Sequence, residues 1–160
     1  MTPNVYQWVR HVVEREKAEA PVVEFGSLDV NGSVRDLFAT PYLGVDRVAG
    51  PGVDLVCDVT VDVPDANAAT VVSTDMLEHC AEPQAAVESM HRCLREGGLL
   101  ILAAPESWPL HHNDDWGDYW RFTRDGMQLL LKRAGFVEIQ IEASEMEPGY
   151  RHTFAVARKR

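Results

Sequence analysis

At 160 residues the chain is long enough for one hydrophobic core and too short for a separate substrate-binding domain, so residues 1–160 are read as a single domain. Its 46% hydrophobic and 25% charged residues exclude wholesale disorder, and a formal net charge of -10 makes nucleic acid an unlikely partner and repels anionic lipid surfaces. No uncharged stretch approaches bilayer length or a signal-peptide core, and Cys57, Cys80 and Cys93 have no C-x-x-C spacing, so a cytoplasmic protein with reduced thiols and no membrane contact is expected.

Val5, Trp8, Val9, Val12 and Val13 recur at helical spacing and predict an amphipathic first helix that ends before Pro21. Residues 21–26 read as a short buried strand, and Ser33 as the N-cap of a helix through Val34, Leu37 and Phe38. Strand candidates follow at 42–46, 53–58, 70–75 and 99–103. Pro83 opens a helix with Ala86, Val87, Met90 and Leu94 on one face, stopped by Gly97 and Gly98, and Thr123 caps another that Gly135 ends. Residues 136–142 and 153–158 then form an antiparallel pair around a loop with Pro148 and Gly149, while Arg158, Lys159 and Arg160 read as a solvated tail.

This alternation predicts an α/β fold with a doubly wound, mostly parallel sheet and right-handed crossovers. Segments 47–52 and 59–69 are too short for the usual crossover helix. Two explanations stand for the thinly covered sheet face that results: loop crossovers in a minimal domain, or a homodimer partner lying over it.

Glu24-Phe25-Gly26-Ser27 sits between a strand and the next element, where a glycine lets a ligand approach the backbone and amides face it. Asp46 ends the following strand, where a carboxylate can accept ribose hydroxyls, so together they imply an adenosine-type ligand.

With these residues the chain resembles the class I S-adenosylmethionine-dependent methyltransferases, in particular the small-molecule group that includes the ubiquinone-biosynthesis type. The likeness extends over nearly the whole chain. It covers Glu24, Gly26 and Asp46, the strand end Cys57-Asp58-Val59, and the segment Ser73-Thr74-Asp75-Met76-Leu77-Glu78-His79 with its Leu-Glu-His ending. Leu94-Arg95-Glu96-Gly97-Gly98-Leu99-Leu100 and Arg133-Ala134-Gly135-Phe136 agree in order and spacing. The resemblance implies a seven-stranded Rossmann-like sheet with an antiparallel last strand. It also implies S-adenosylmethionine as cofactor, with S-adenosylhomocysteine as product, held by Glu24, Gly26, Ser27, Asp46, Arg47, Asp58, Val59, Thr74 and Met76. Leu28 and Val30 stand where the family usually has further glycines, and Asp29, Asn31 and Gly32 are explained by a turn.

The acceptor is expected to be a small molecule, close to Glu78, Trp116, Tyr119 and Trp120. Trp108, Trp116, Tyr119, Trp120 and Phe122 crowd the segment after the fifth strand, where they either enclose the acceptor or pack the loop. His79, His111 and His112 are the candidate bases, although Glu78-His79 also fits a simple helix start. His111, His112, Asp114 and Asp115 are read as a solvated loop, and no metal is expected; His11, His91 and His152 are read as surface or packing residues. Two other functions share the pattern. A nicotinamide-dependent oxidoreductase would use the same strand, glycine and acid but lacks G-x-G-x-x-G here, and a noncatalytic nucleoside-binding or scaffolding subunit would have the same fold.

Overall fold

The computed structural model describes residues 2–62, 64, 66–112, 115–147 and 149–160, with backbone only at 145–147. Helix α1 is Pro3–Glu16, with Thr2 accepting from the amide of Val5 and the left-handed Lys17 closing the other end. Strands β1 (Val22–Phe25), β2 (Tyr42–Asp46), β3 (Leu55–Val56) and β4 (Ala68–Thr74) follow, then α2 (Pro83–Cys93), β5 (Leu94–Ser107), α3 (Arg124–Arg133), β6 (Val137–Glu147) and β7 (Tyr150–Arg158). The seven strands lie in the order β3-β2-β1-β4-β5-β7-β6. β7 runs antiparallel between β5 and β6, and the other neighbouring pairs are parallel, which is the Rossmann-like methyltransferase arrangement.

Strict alternation along the central strands divides the core into two layers. Val72, Leu99, Ile101, Ala103, Phe154 and Val156 face α1 through Val5, Val9 and Val12. Val71, Leu100, Leu102, Ala104, Ala155 and Ala157 face the other way, onto Ala86, Val87 and Met90 of α2 and Met127 and Leu131 of α3. Burial of both faces is why β4 and β5 read as near-continuous apolar runs.

Three expectations change. The helix predicted after β1 is a single 3-10 turn, Arg35–Leu37, because Ser33 Oγ bonds the amide of Arg35 two residues on and Pro41 soon ends any helical path. β5 starts at Leu94, with a shift in its pairing to β4 between Ala68 and Thr70, so Gly97 and Gly98 lie inside the strand span. The basic terminus is held down: Arg158 pairs with Glu16 at 3.0 Å, and Lys159 Nζ donates to Leu94 O at 2.7 Å. Among the described residues the crossovers on both sides of β3 carry no helix, and Leu55, Val56 and Val61 are exposed at that edge. The loop position Pro148 lies outside the described residues.

Candidate functional site

The carboxyl ends of β1, β2 and β4, with the residues that follow β3, open into a cleft of about 320 Å³. Its position follows from the topology, because β1 and β4 are adjacent and their crossovers leave in opposite directions along the sheet. Glu24, Gly26, Ser27, Asp46, Arg47, Asp58, Val59, Thr74 and Met76 all line it.

One wall is made of strand ends. Gly26 has φ +81°, and a Cβ there would come within 2.5 Å of the Met76 side chain, so the glycine lets the turn after β1 close onto the turn after β4. Asp46 receives the amide of Leu28 at 3.1 Å on one oxygen and that of Val48 at 3.0 Å on the other, tying two loops together. Each oxygen has a second lone pair available for a ligand hydroxyl. Asp58 accepts from both the amide and the hydroxyl of Thr60, which holds its carboxyl below the usual range. Glu24 is buried, and burial raises its carboxyl to about 7 even though the Tyr42 hydroxyl donates to it at 2.8 Å. Ser27 Oγ is buried in this wall with no partner among the described residues.

The opposite wall is formed by residues 107–112 and 115–123, clamped onto the turn Leu77–His79. The amides of Tyr119 and Trp120 both donate to Glu78 O, Trp120 Nε1 donates to Cys80 O, and Gly117 O meets His79 Nδ1 at 2.6 Å. Asp118 organises the segment from within: Arg121 grips both its oxygens, and the amide of His111 donates to it at 2.8 Å. The Arg121 guanidinium holds the Asp118 carboxyl down to about 2. Burial, and next the charge of Asp75, push Glu78 well above the ordinary carboxylate range, and burial lowers His79. Arg47 reaches across from the first wall to the backbone oxygen of Asp115.

Of the residues expected near the acceptor, Glu78, His79, His111 and Trp116 line the cleft, with the His79 and His111 rings 4.8 Å apart and Trp116 5.9 Å from His79. His112, Tyr119 and Trp120 are exposed and do not line it; the bonds from the Tyr119 and Trp120 amides to Glu78 O and from the Trp120 indole to Cys80 O hold those two rings outside. Asp114, part of the loop read as solvated, lies outside the described residues.

Sequence reading did not find the roles of His152, Asp118 and Arg121. His152 packs into the sheet, but it also lines the cleft and bonds Asp75 at 2.8 Å; the register Pro105↔His152 across β5 and β7 puts it there, and local sequence carries no sign of that. Trp108, one of the rings expected either to enclose the acceptor or to pack the loop, lines the cleft beside His152, with ring centroids 5.4 Å apart. Asp118 and Arg121 are at i,i+3 spacing, a local sign that could have been read as an ion pair.

Comparison with known proteins agrees with this fold. Residues 7–140 match a family model described as a methyltransferase domain. The fold is shared with a Burkholderia thailandensis 1,6-didemethyltoxoflavin N1-methyltransferase with bound 1,6-didemethyltoxoflavin and S-adenosylhomocysteine, at TM-score 0.76 and 17% identity over 97% of this chain and 78% of that one. A Haemonchus contortus phosphoethanolamine N-methyltransferase bound to phosphomonomethylethanolamine and S-adenosylhomocysteine gives TM-score 0.68 at 13% identity, over 98% of this chain and 56% of its own. An S-adenosylmethionine-dependent methyltransferase from Archaeoglobus fulgidus gives TM-score 0.69 at 13% identity, over 96% and 94%. The chain thus spans little more than half of the Haemonchus enzyme. No curated protein sequence matches it.

Proposed function

The chain belongs to the methyltransferase-domain family, and from that premise we propose that it transfers a methyl group from S-adenosylmethionine to a small-molecule acceptor in the cytoplasm. The observation that carries this reading is the strand-end wall. It combines Asp46 with unused lone pairs, a buried and unpartnered Ser27 hydroxyl and the Asp58 carboxylate in one cleft, a donor set suited to a nucleoside bearing hydroxyl and amino groups. Asp46 and Arg47 take the ribose side, Asp58 and Val59 the adenine side, and Glu24, Gly26, Ser27, Thr74 and Met76 the remainder of the cofactor. Structures of the same fold bound to S-adenosylhomocysteine support the choice of ligand.

S-adenosylmethionine supplies a methyl group already activated by its sulfonium charge. The chain's own residues therefore act mainly by placing the acceptor and excluding water, and positioning alone is worth roughly 7 to 11 kcal/mol in favourable systems. Trp116 and Trp108 form the apolar side of the acceptor space, and Glu78, His79 and His111 form its polar corner, where an acceptor proton is lost. Tyr119 and Trp120 contribute by fixing the segment that carries Trp116. The oxidoreductase reading lacks its glycine fingerprint, since residues 26–31 run Gly-Ser-Leu-Asp-Val-Asn.

The test is mass spectrometry of a cell extract incubated with the protein and isotopically labelled S-adenosylmethionine. The expected result is one labelled small molecule that is absent without the protein. An extract with no labelled product, despite measured S-adenosylhomocysteine binding, would favour a noncatalytic nucleoside-binding subunit.

A further inference from the structure

We propose that Glu78, His79 and His111 form a binding site for one divalent transition-metal ion on the acceptor side of the cleft. Their donor atoms lie within 4.8 Å of one another, with both imidazole Nε2 atoms directed at the same Glu78 oxygen, at 3.7 Å from His79 and 3.9 Å from His111.

The tautomers carry the argument. His79 Nδ1 lies 2.6 Å from Gly117 O, and His111 Nδ1 lies 3.0 Å from Pro109 O. A carbonyl oxygen can only accept, so each Nδ1 holds the proton and each Nε2 presents a lone pair. Asp118 Oδ2, 3.3 Å from His111 Nδ1, reinforces that assignment. Two nitrogen lone pairs and a carboxyl group therefore converge at distances too long for hydrogen bonds, and Glu78 Oε2 is buried with no partner among the described residues. A metal ion entering there displaces the proton of the buried Glu78 carboxyl and takes up all three donors.

A backbone carbonyl behind one metal-ligating imidazole and a carbonyl plus a carboxylate behind the other is the support such ligands commonly have. Two imidazoles and one carboxylate select zinc, iron or another first-row ion over calcium or magnesium, and they leave coordination positions open. At about 2.1 Å from each donor, a tetrahedral ion needs donors about 3.4 Å apart, so the widest pair closes by about 1.4 Å. His111 supplies much of that movement, since its side chain is partly exposed, whereas Glu78 is fixed. Trp116, its ring centroid 5.9 Å from that of His79, lies beside the site in the same cleft. The role of the ion rests on the methyltransferase reading, and under it the acceptor belongs to a narrower class: a small molecule that presents an oxygen or nitrogen donor to the metal. The ion that the two histidines would hold lowers the pKa of a bound acceptor, whose proton passes to solvent water because both Nε2 atoms are engaged.

Protein stripped with chelator and titrated with Co2+ tests this, read by the visible absorption of the bound ion and, with Zn2+, by calorimetry. The expected result is one ion per chain, with at least tenfold weaker binding in His111→Ala and in Glu78→Gln. His112→Ala, one residue away and exposed, should leave binding within twofold. Should Glu78→Gln fail to fold, His111→Ala still decides, because its side chain lies on the surface segment. Absence of Co2+ binding, or binding lost in His112→Ala and kept in His111→Ala, would overturn the proposal. S-adenosylhomocysteine titrations on the same samples separate the two claims: metal binding without nucleoside binding upholds this site and breaks the methyltransferase reading, and the converse does the reverse.

Discussion

On one wall of the cleft, Glu24, Asp46 and Asp58 sit at or next to strand ends and are held by adjacent strands and the turns that follow them; on the other, Glu78, His79 and His111 come together only because residues 107–112 and 115–123 fold back onto Leu77–His79. The first wall is fixed by the sheet, and the second by a set of loop hydrogen bonds centred on Asp118 and Glu78 O. A constant cofactor calls for the first kind of construction. An acceptor that varies between relatives calls for the second, since a loop can change without disturbing the strands. The contact from Arg47 to Asp115 O joins the two.

The largest effect should come from closing the joint between the turns after β1 and β4. Gly26→Ala places a Cβ 2.5 Å from the Met76 side chain on a backbone with φ +81°, so about 2 to 4 kcal/mol of stability should be lost in chemical denaturation, together with S-adenosylhomocysteine binding. A stable, binding-competent Gly26→Ala would show that the strand-end wall is less rigid than described.

Glu24 gives the pH signature of that wall. Its carboxyl is raised from an ordinary 4.5 to about 7, so between those values the folded chain holds a proton that the unfolded chain has released. Stability from this group is therefore fully present below pH 4.5 and falls as pH rises towards 7, by up to about 3 kcal/mol. Glu24→Gln keeps an acceptor for the Tyr42 hydroxyl and should flatten the denaturation midpoint across that window. A slope unchanged by Glu24→Gln would assign the pH dependence elsewhere.

Asp46→Ala should weaken S-adenosylhomocysteine binding about tenfold or more, because charge-assisted hydrogen bonds contribute roughly 1.5 to 3 kcal/mol. It also frees the amides of Leu28 and Val48, so a comparison with Asp46→Asn, whose side-chain oxygen retains one of them, separates loop anchoring from ligand contact. Equal losses in both variants would locate the effect in the missing charge.

The smallest expected change in cofactor affinity comes from the other wall. Trp116→Ala with Tyr119→Ala should leave S-adenosylhomocysteine binding within about twofold while lowering kcat/KM for methyl transfer about tenfold, roughly 1.4 kcal/mol in the transition state. Equal losses in binding and turnover would place this segment around the cofactor and erase the distinction between the walls.

That distinction also marks what the sequence could reveal. Strand ends, their acids and the glycine after β1 are local features, so Glu24, Gly26, Asp46 and Asp58 could be placed from residue order alone. Ser33 misled because a hydroxyl that can cap a helix can equally close a turn on the second residue after it. His152 was out of reach because its place in the cleft depends on an antiparallel register set by the whole length of β5 and β7, whereas Trp108 could be placed from its position just after β5. Tyr119 and Trp120 look like acceptor residues from their aromatic character, but the amide and indole bonds that turn them outward depend on Glu78 and Cys80, about forty positions earlier.

The central claim is that the cleft at the ends of β1, β2 and β4 holds an S-adenosyl nucleoside, and calorimetry on the intact protein addresses it most directly. The account predicts that S-adenosylhomocysteine binds with one site per chain, that Asp46→Ala weakens it about tenfold or more, and that NADH gives no binding. Binding of NADH with no response to S-adenosylhomocysteine would contradict it.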